Sequence, residues 1–111
     1  ELFYIPGCAN MPDWLKERVD NANLVLFDGT LWTDDEMIKE NVGIKTGQRM
    51  GHMSMSGSSG SIEAFKELDI KRKIFIHINT TNPALLEKSS ERKIANEAGW
   101  EIAYDTMEIK I

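Results

Sequence analysis

A chain of 111 residues with 13 basic and 18 acidic side chains has a formal charge of −5; its charges are scattered, so it lacks the basic stripe that nucleic-acid binding requires. The length suits one compact domain, residues 1–111, and no apolar run nears the roughly 20 residues that span a bilayer, while the apolar start at Leu2 to Ile5 is too short for a signal-peptide core. The single cysteine, Cys8, excludes an internal disulfide and a self-contained cysteine zinc knuckle, so the chain reads as cytoplasmic and any metal chemistry must use His, Asp or Glu.

Leu2 to Ile5 reads as a short strand ended by the Pro6-Gly7 turn, and because it opens the chain directly, without an initiating Met, a preceding segment is expected. Pro12 suits a first helical position, and Trp14, Leu15, Arg18 and Val19 follow at helical spacing to about Asp20. Leu24 to Phe27 is apolar on both faces, as expected of a strand buried inside a sheet, and it opens at Asp28-Gly29 into a loop. Thr33 and Glu36 form a capping-box pair for a brief helix to about Lys39. Residues 41–60 are rich in Gly, Ser and Met without helical or strand period, which predicts a functional loop containing His52.

Gly60 or Ser61 caps a helix that turns Ile62, Phe65 and Leu68 inward. A second strand, apolar on both faces, is expected from Ile74 through His77 to Asn79, with a loop to Pro83. A helix from Ser89 or Ser90 should turn Ile94, Ala95 and Ala98 inward and end at Gly99. Two strands, Trp100 to Tyr104 and Met107 to Ile111, complete the chain. This alternation predicts an α/β domain, and the glycine patterns of dinucleotide and P-loop sites are absent.

Asp28, at the end of an apolar strand, is either the residue of an Asx-turn or a buried carboxylate paired with a metal. His77 is either a satisfied core histidine or a ligand, and His52 either a solvated loop residue or a group lining a pocket. Two strand ends, each offering a polar group, with the other histidine in the loop between them, favour a metal pocket at one sheet edge, one that needs further ligands to close. Asp34, Asp35 and Glu36 read as a solvated helix start that favours the dipole, Cys8 as a small apolar filler, and Met50, Met53 and Met55 as a loop wall. The serines at 54, 56, 58 and 59 lack a visible His-Asp partner set for nucleophilic catalysis.

Four stretches carry a resemblance: residues 27–37 (Phe-Asp-Gly-Thr-Leu-Trp-Thr-Asp-Asp-Glu-Met), 46–52 (Thr-Gly-Gln-Arg-Met-Gly-His), 76–83 (Ile-His-Ile-Asn-Thr-Thr-Asn-Pro) and 103–109 (Ala-Tyr-Asp-Thr-Met-Glu-Ile). In order and spacing they resemble the C-terminal third of the coenzyme PQQ synthesis protein B family. One departure is Met53-Ser54, where the family usually has Leu-Pro. The resemblance implies a metallo-β-lactamase-like αββα sandwich of which this chain is the C-terminal half, with Asp28 and His77 as metal ligands and His52 as a polar or acid-base residue of the pocket. It implies Fe(II) or Zn(II) completed by ligands absent from this chain, hence weak binding here. It also implies oxygen-dependent hydroxylation of the tyrosine ring of a cross-linked Glu-Tyr precursor of PQQ. The alternatives are a carrier of the cofactor or its precursor toward the periplasm, and a two-metal hydrolase. The expected partners are that small peptide-derived precursor and, through an uncovered apolar sheet face, a second copy or a missing N-terminal half.

Overall fold

The computed structural model describes residues 1–39 and 45–109. Four strands, β1 (Leu2–Ile5), β2 (Leu24–Asp28), β3 (Lys73–Ile76) and β4 (Trp100–Ile102), form one sheet in the order β1-β2-β3-β4, and every neighbouring pair is parallel. Parallel neighbours require crossover connections, and helices lie in each: α1 (Asp13–Val19), then α2 (Glu36–Lys39) and α3 (Ser61–Ala64), then α4 (Ser90–Glu97). The α/β architecture expected from the strand and helix alternation is the one observed.

Because side chains alternate across a strand, the register puts Phe3, Ile5, Val25, Phe27, Phe75, Trp100 and Ile102 on one face, packed with Val19, Met53, Met55 and Phe65. The Trp100 ring stacks on Phe75 at 3.8 Å and meets Phe65 edge-on at 5.1 Å, the second a T-shaped arrangement that aromatic pairs prefer. On the other face Leu24 and Ile74 are buried while Leu2 and Tyr4 are exposed. Among the described residues, no helix is long and apolar enough to cross a membrane.

Several expectations are corrected. Pro12 is the N-cap of α1 rather than its first residue; Ile94, read as core-facing, is 50% exposed, and Trp14, placed at helical spacing with Val19, is 68% exposed. Of the α4 residues read as inward, only Ala95 is buried. The helix at Ser61 is a single turn that delivers Phe65 to the core just past its end. β3 stops at Ile76, so His77 lies outside the strand and is exposed. β4 ends at Ile102, and residues 107–109 are not a strand; Lys110 and Ile111 lie outside the described residues, as do 41–44 of the long loop. The rest of that loop is tied down, with Met53 N–H donating to Cys8 O, Met55 N–H to Leu31 O and Ser56 N–H to Trp32 O. Met53 and Met55 are therefore core residues rather than a loop wall.

A candidate metal centre at the sheet edge

In a parallel sheet every strand ends at the same edge, where loops are free to gather polar side chains. Here that edge carries Asp28, the last residue of β2, and His77, the first residue past β3. The register fixes the pairing: Asp28 lies opposite Ile76. Gly29 N–H then donates to Ile76 O at 2.7 Å and Asn79 N–H to Thr30 O at 3.0 Å, so the two loops continue side by side. Only a glycine fits at 29, because a Cβ there would lie 2.7 Å from Ile78 Cδ1 and 2.8 Å from Phe75 Cβ.

The Asp28 carboxylate is fully buried and each oxygen has its own task. Oδ1 accepts from Thr30 N–H at 3.0 Å and from the Thr30 hydroxyl at 2.6 Å, which is the Asx-turn expected from the sequence. Oδ2 accepts from Cys8 N–H at 3.0 Å and faces His52 Nδ1 at 2.8 Å. The Asx-turn alternative for Asp28 is therefore the one observed, on Oδ1, while Oδ2 is hydrogen-bonded to Cys8 N–H and to His52.

His52 is presented by a 3₁₀ turn, Gln48–Met50, that ends at Gly51 with φ of 83°, a left-handed conformation that glycine adopts freely. His52 N–H donates back to Gly47 O at 2.8 Å. His77 has φ of 58°, unusual for a non-glycine residue and one that turns the chain sharply out of the strand. The two imidazoles lie with centroids 5.5 Å apart, and Thr30 Oγ1 is 2.8 Å from His77 Nδ1 and 3.2 Å from His52 Nδ1.

One ligand atom each from Asp28, His52 and His77 lies within 4.8 Å of the others. Nitrogen and carboxylate ligands bonded to one ion at about 2.0–2.2 Å sit about 3–4 Å apart, a spacing that this set approaches. The mixed imidazole and carboxylate donors suit zinc or iron. The residues singled out in the sequence are thus all brought together.

Cys8 contributes its backbone rather than its sulfur. Its thiol donates to Asn10 O at 2.9 Å, and burial pushes it above its ordinary value, with the Asn10 hydrogen bond opposing and the nearby Asp28 charge adding to the rise. A thiol so placed resists forming the thiolate that would bind metal.

Three further residues support the cluster and were not assigned a site role from sequence. Thr30 touches all three candidate ligands; the Asp-x-Thr spacing at a strand end was its only sequence signal. Glu36, read as part of a solvated acidic triplet, is instead buried, accepting from Trp32 N–H at 2.8 Å, Thr33 N–H at 3.4 Å and the Thr81 hydroxyl at 2.6 Å. Asn82, also buried, donates to Gly29 O at 3.0 Å and accepts from Ala84 N–H at 2.9 Å.

A family model described as a beta-lactamase superfamily domain matches residues 1–78. Coenzyme PQQ synthesis protein B of Gluconacetobacter diazotrophicus is 59% identical over 107 residues, covering 96% of this chain and 35% of that protein. The protein of the same name from Xanthomonas oryzae pv. oryzae is 56% identical over 110 residues, covering 99% and 37%. The chain thus spans little more than a third of the length of these curated relatives. The crystal structure of Zn²⁺-bound PqqB from Methylobacterium extorquens matches with a TM-score of 0.94 at 47% identity, over 97% of this chain and 39% of that one. The chain belongs to the beta-lactamase superfamily, and within it is similar over nearly its whole length to coenzyme PQQ synthesis protein B.

Proposed function

We propose that this chain serves PQQ biosynthesis as part of a metal-dependent hydroxylase, and that Asp28 and His77 hold the metal with His52 beside them. The observation that carries the reading is the convergence of these three side chains, from two strand ends and a long crossover loop, within 4.8 Å. The names of the relatives support the biosynthetic role, and a relative crystallised with Zn²⁺ supports a metal.

Substrate, by this reading, is the peptide-derived precursor with its cross-linked Glu and Tyr, and the reaction replaces a ring hydrogen by hydroxyl. Oxygen supplies the new oxygen atom, and two electrons from an external reductant with two protons carry the other oxygen atom to water. A bound redox-active iron supplies the oxygen chemistry. The chain's own residues do the rest: Asp28 and His77 fix the reaction centre at the sheet edge, and His52, half-buried and hydrogen-bonded to Asp28 through Nδ1, is free at Nε2 to move a proton to or from the ring hydroxyl.

The test places this segment in a protein of the relatives' full length, loads Fe(II) without oxygen, and then admits oxygen with a Glu-Tyr peptide and a reductant. A product 16 mass units heavier is expected, on the order of one oxygen atom added, and His77→Ala should abolish it. Turnover that survives His77→Ala, or that proceeds with Zn²⁺ and without oxygen, would refute the hydroxylase reading.

A further inference from the structure

The Thr30 hydroxyl occupies the middle of the cluster, 2.6 Å from Asp28 Oδ1, 2.8 Å from His77 Nδ1 and 3.2 Å from His52 Nδ1. A hydroxyl has one proton to give and two lone pairs to accept with, whereas a carboxylate only accepts. The shortest of the three contacts is the one to the carboxylate, and it is charge-assisted, so the proton belongs there. Toward His77 the hydroxyl oxygen can then only accept. His77 Nδ1 must therefore carry a hydrogen, and the lone pair of its neutral ring resides on Nε2.

We infer that Thr30 is a positioning residue that fixes His77 as the Nδ1–H tautomer and so presents Nε2 to the metal. Its value to metal binding rests on the reading proposed above; the tautomer itself does not. Among the described residues the contact with Thr30 is the one hydrogen bond of the His77 ring. His77 is exposed, beyond the end of β3 and in a left-handed turn, so neither strand pairing nor close burial holds the imidazole in one orientation. The hydroxyl does that, and it is itself anchored because Thr30 is buried and its N–H is bonded to Asp28 Oδ1 at 3.0 Å. The same proton count treats His52 alike: its Nδ1, 2.8 Å from Asp28 Oδ2, donates to the carboxylate. Both rings then offer Nε2, and one buried carboxylate with one hydroxyl organises the pair. Such outer contacts to ligating histidines commonly set tautomer and ring orientation.

The experiment is nitrogen NMR of the ¹⁵N-histidine-labelled 111-residue chain, free of metal, at a pH of about 8 where ordinary imidazoles are neutral. It is followed by Zn²⁺ affinity from competition with a chelator. His77 should appear as the Nδ1–H tautomer in the wild type and in Thr30→Ser. In Thr30→Val it should shift toward the Nε2–H form, with Zn²⁺ bound about 10–100-fold more weakly; Thr30→Ser should restore most of that affinity. Circular dichroism establishes that each variant is folded, and the wild-type tautomer is decisive even if Thr30→Val is not. An Nε2–H form of His77 in the wild type overturns the inference, as does a tautomer unchanged in folded Thr30→Val. If the Nδ1–H form is found, depends on Thr30 and yet Zn²⁺ does not bind, the tautomer assignment is upheld and the metal reading fails.

Discussion

The Thr81 hydroxyl donates to the buried Glu36 carboxylate at 2.6 Å, and this bond ties the loop after β3 to the loop after β2. The other Glu36 oxygen takes the N–H groups of Trp32 and Thr33, so one side chain satisfies three donors around the cluster. Removing it strands backbone N–H groups in a buried place. Glu36→Ala should lower stability by about 2–3 kcal/mol in urea denaturation, and Glu36→Gln, which keeps one carbonyl acceptor, by less. A change below about 0.5 kcal/mol, the usual range for surface substitutions, would return Glu36 to the solvated helix start of the sequence reading.

Gly29 is a packing requirement rather than a turn requirement. A Cβ at this position would press on the Phe75 and Ile78 side chains and approach Ile76 O at 3.1 Å, and the Ile76 carbonyl belongs to the sheet and cannot retreat. Gly29→Ala should therefore cost about 1–3 kcal/mol, read as a lowered urea midpoint, and it should loosen the spacing of Asp28 from His77. An unchanged midpoint would show that β2 and β3 are further apart at this edge.

At His77 the backbone and the side chain can be tested apart. With φ at 58°, a residue bearing a Cβ is strained, and glycine is not. His77→Ala and His77→Gly remove the same imidazole, so the difference between them isolates the backbone. The glycine variant should be the more stable of the two by about 0.5–1 kcal/mol in thermal or urea melts, the reverse of the usual order in a strand. Alanine as the more stable variant would place His77 back in β3.

Arg72, just before β3, and Glu101, in β4, form a two-bond ion pair, 2.6 Å from Nε and 2.8 Å from Nη2. The Arg72 hydrogen bond holds the Glu101 carboxyl below its ordinary value of 4.5, with partial burial opposing and the Arg72 charge assisting. A carboxyl lowered on folding contributes stability that is complete above its unfolded value and is lost as pH falls through the folded one. Stability should thus decline as pH drops below about 4.5, and Glu101→Gln should flatten that decline while leaving the site untouched. The pair is partly solvated, so the effect is small and weakens further in salt. An acid limb that is the same in both proteins would show that other carboxylates set it.

Much of the frame was legible because burial on both faces writes itself into the sequence. Leu24 to Phe27 and Ile74 to Ile76 are runs that only an interior strand tolerates, and Asp28 stands out at the end of the first. The second run misled in one respect: Ile76-His77-Ile78 continues the apolar alternation, yet β3 stops at Ile76 because the chain turns there to pair with the loop around Thr30. That partner lies 47 residues away from His77, beyond the reach of any local pattern. Glu36 was misread for the same reason, since its acidic neighbours mimic a solvated helix start and Thr81, the donor that settles its role, is 45 residues distant. Trp14 and Ile94 follow helical spacing but lie on helices too short to bury a full stripe.

The central claim is that Asp28 and His77 hold one metal ion with His52 beside them, and Zn²⁺ titration of the wild-type chain beside His77→Gly tests it most directly, because the glycine removes a ligand without adding backbone strain. The account predicts one ion per wild-type chain and binding at least about tenfold weaker in the folded variant, a loss of about 1.4 kcal/mol or more. Equal affinity in the two folded proteins would contradict it.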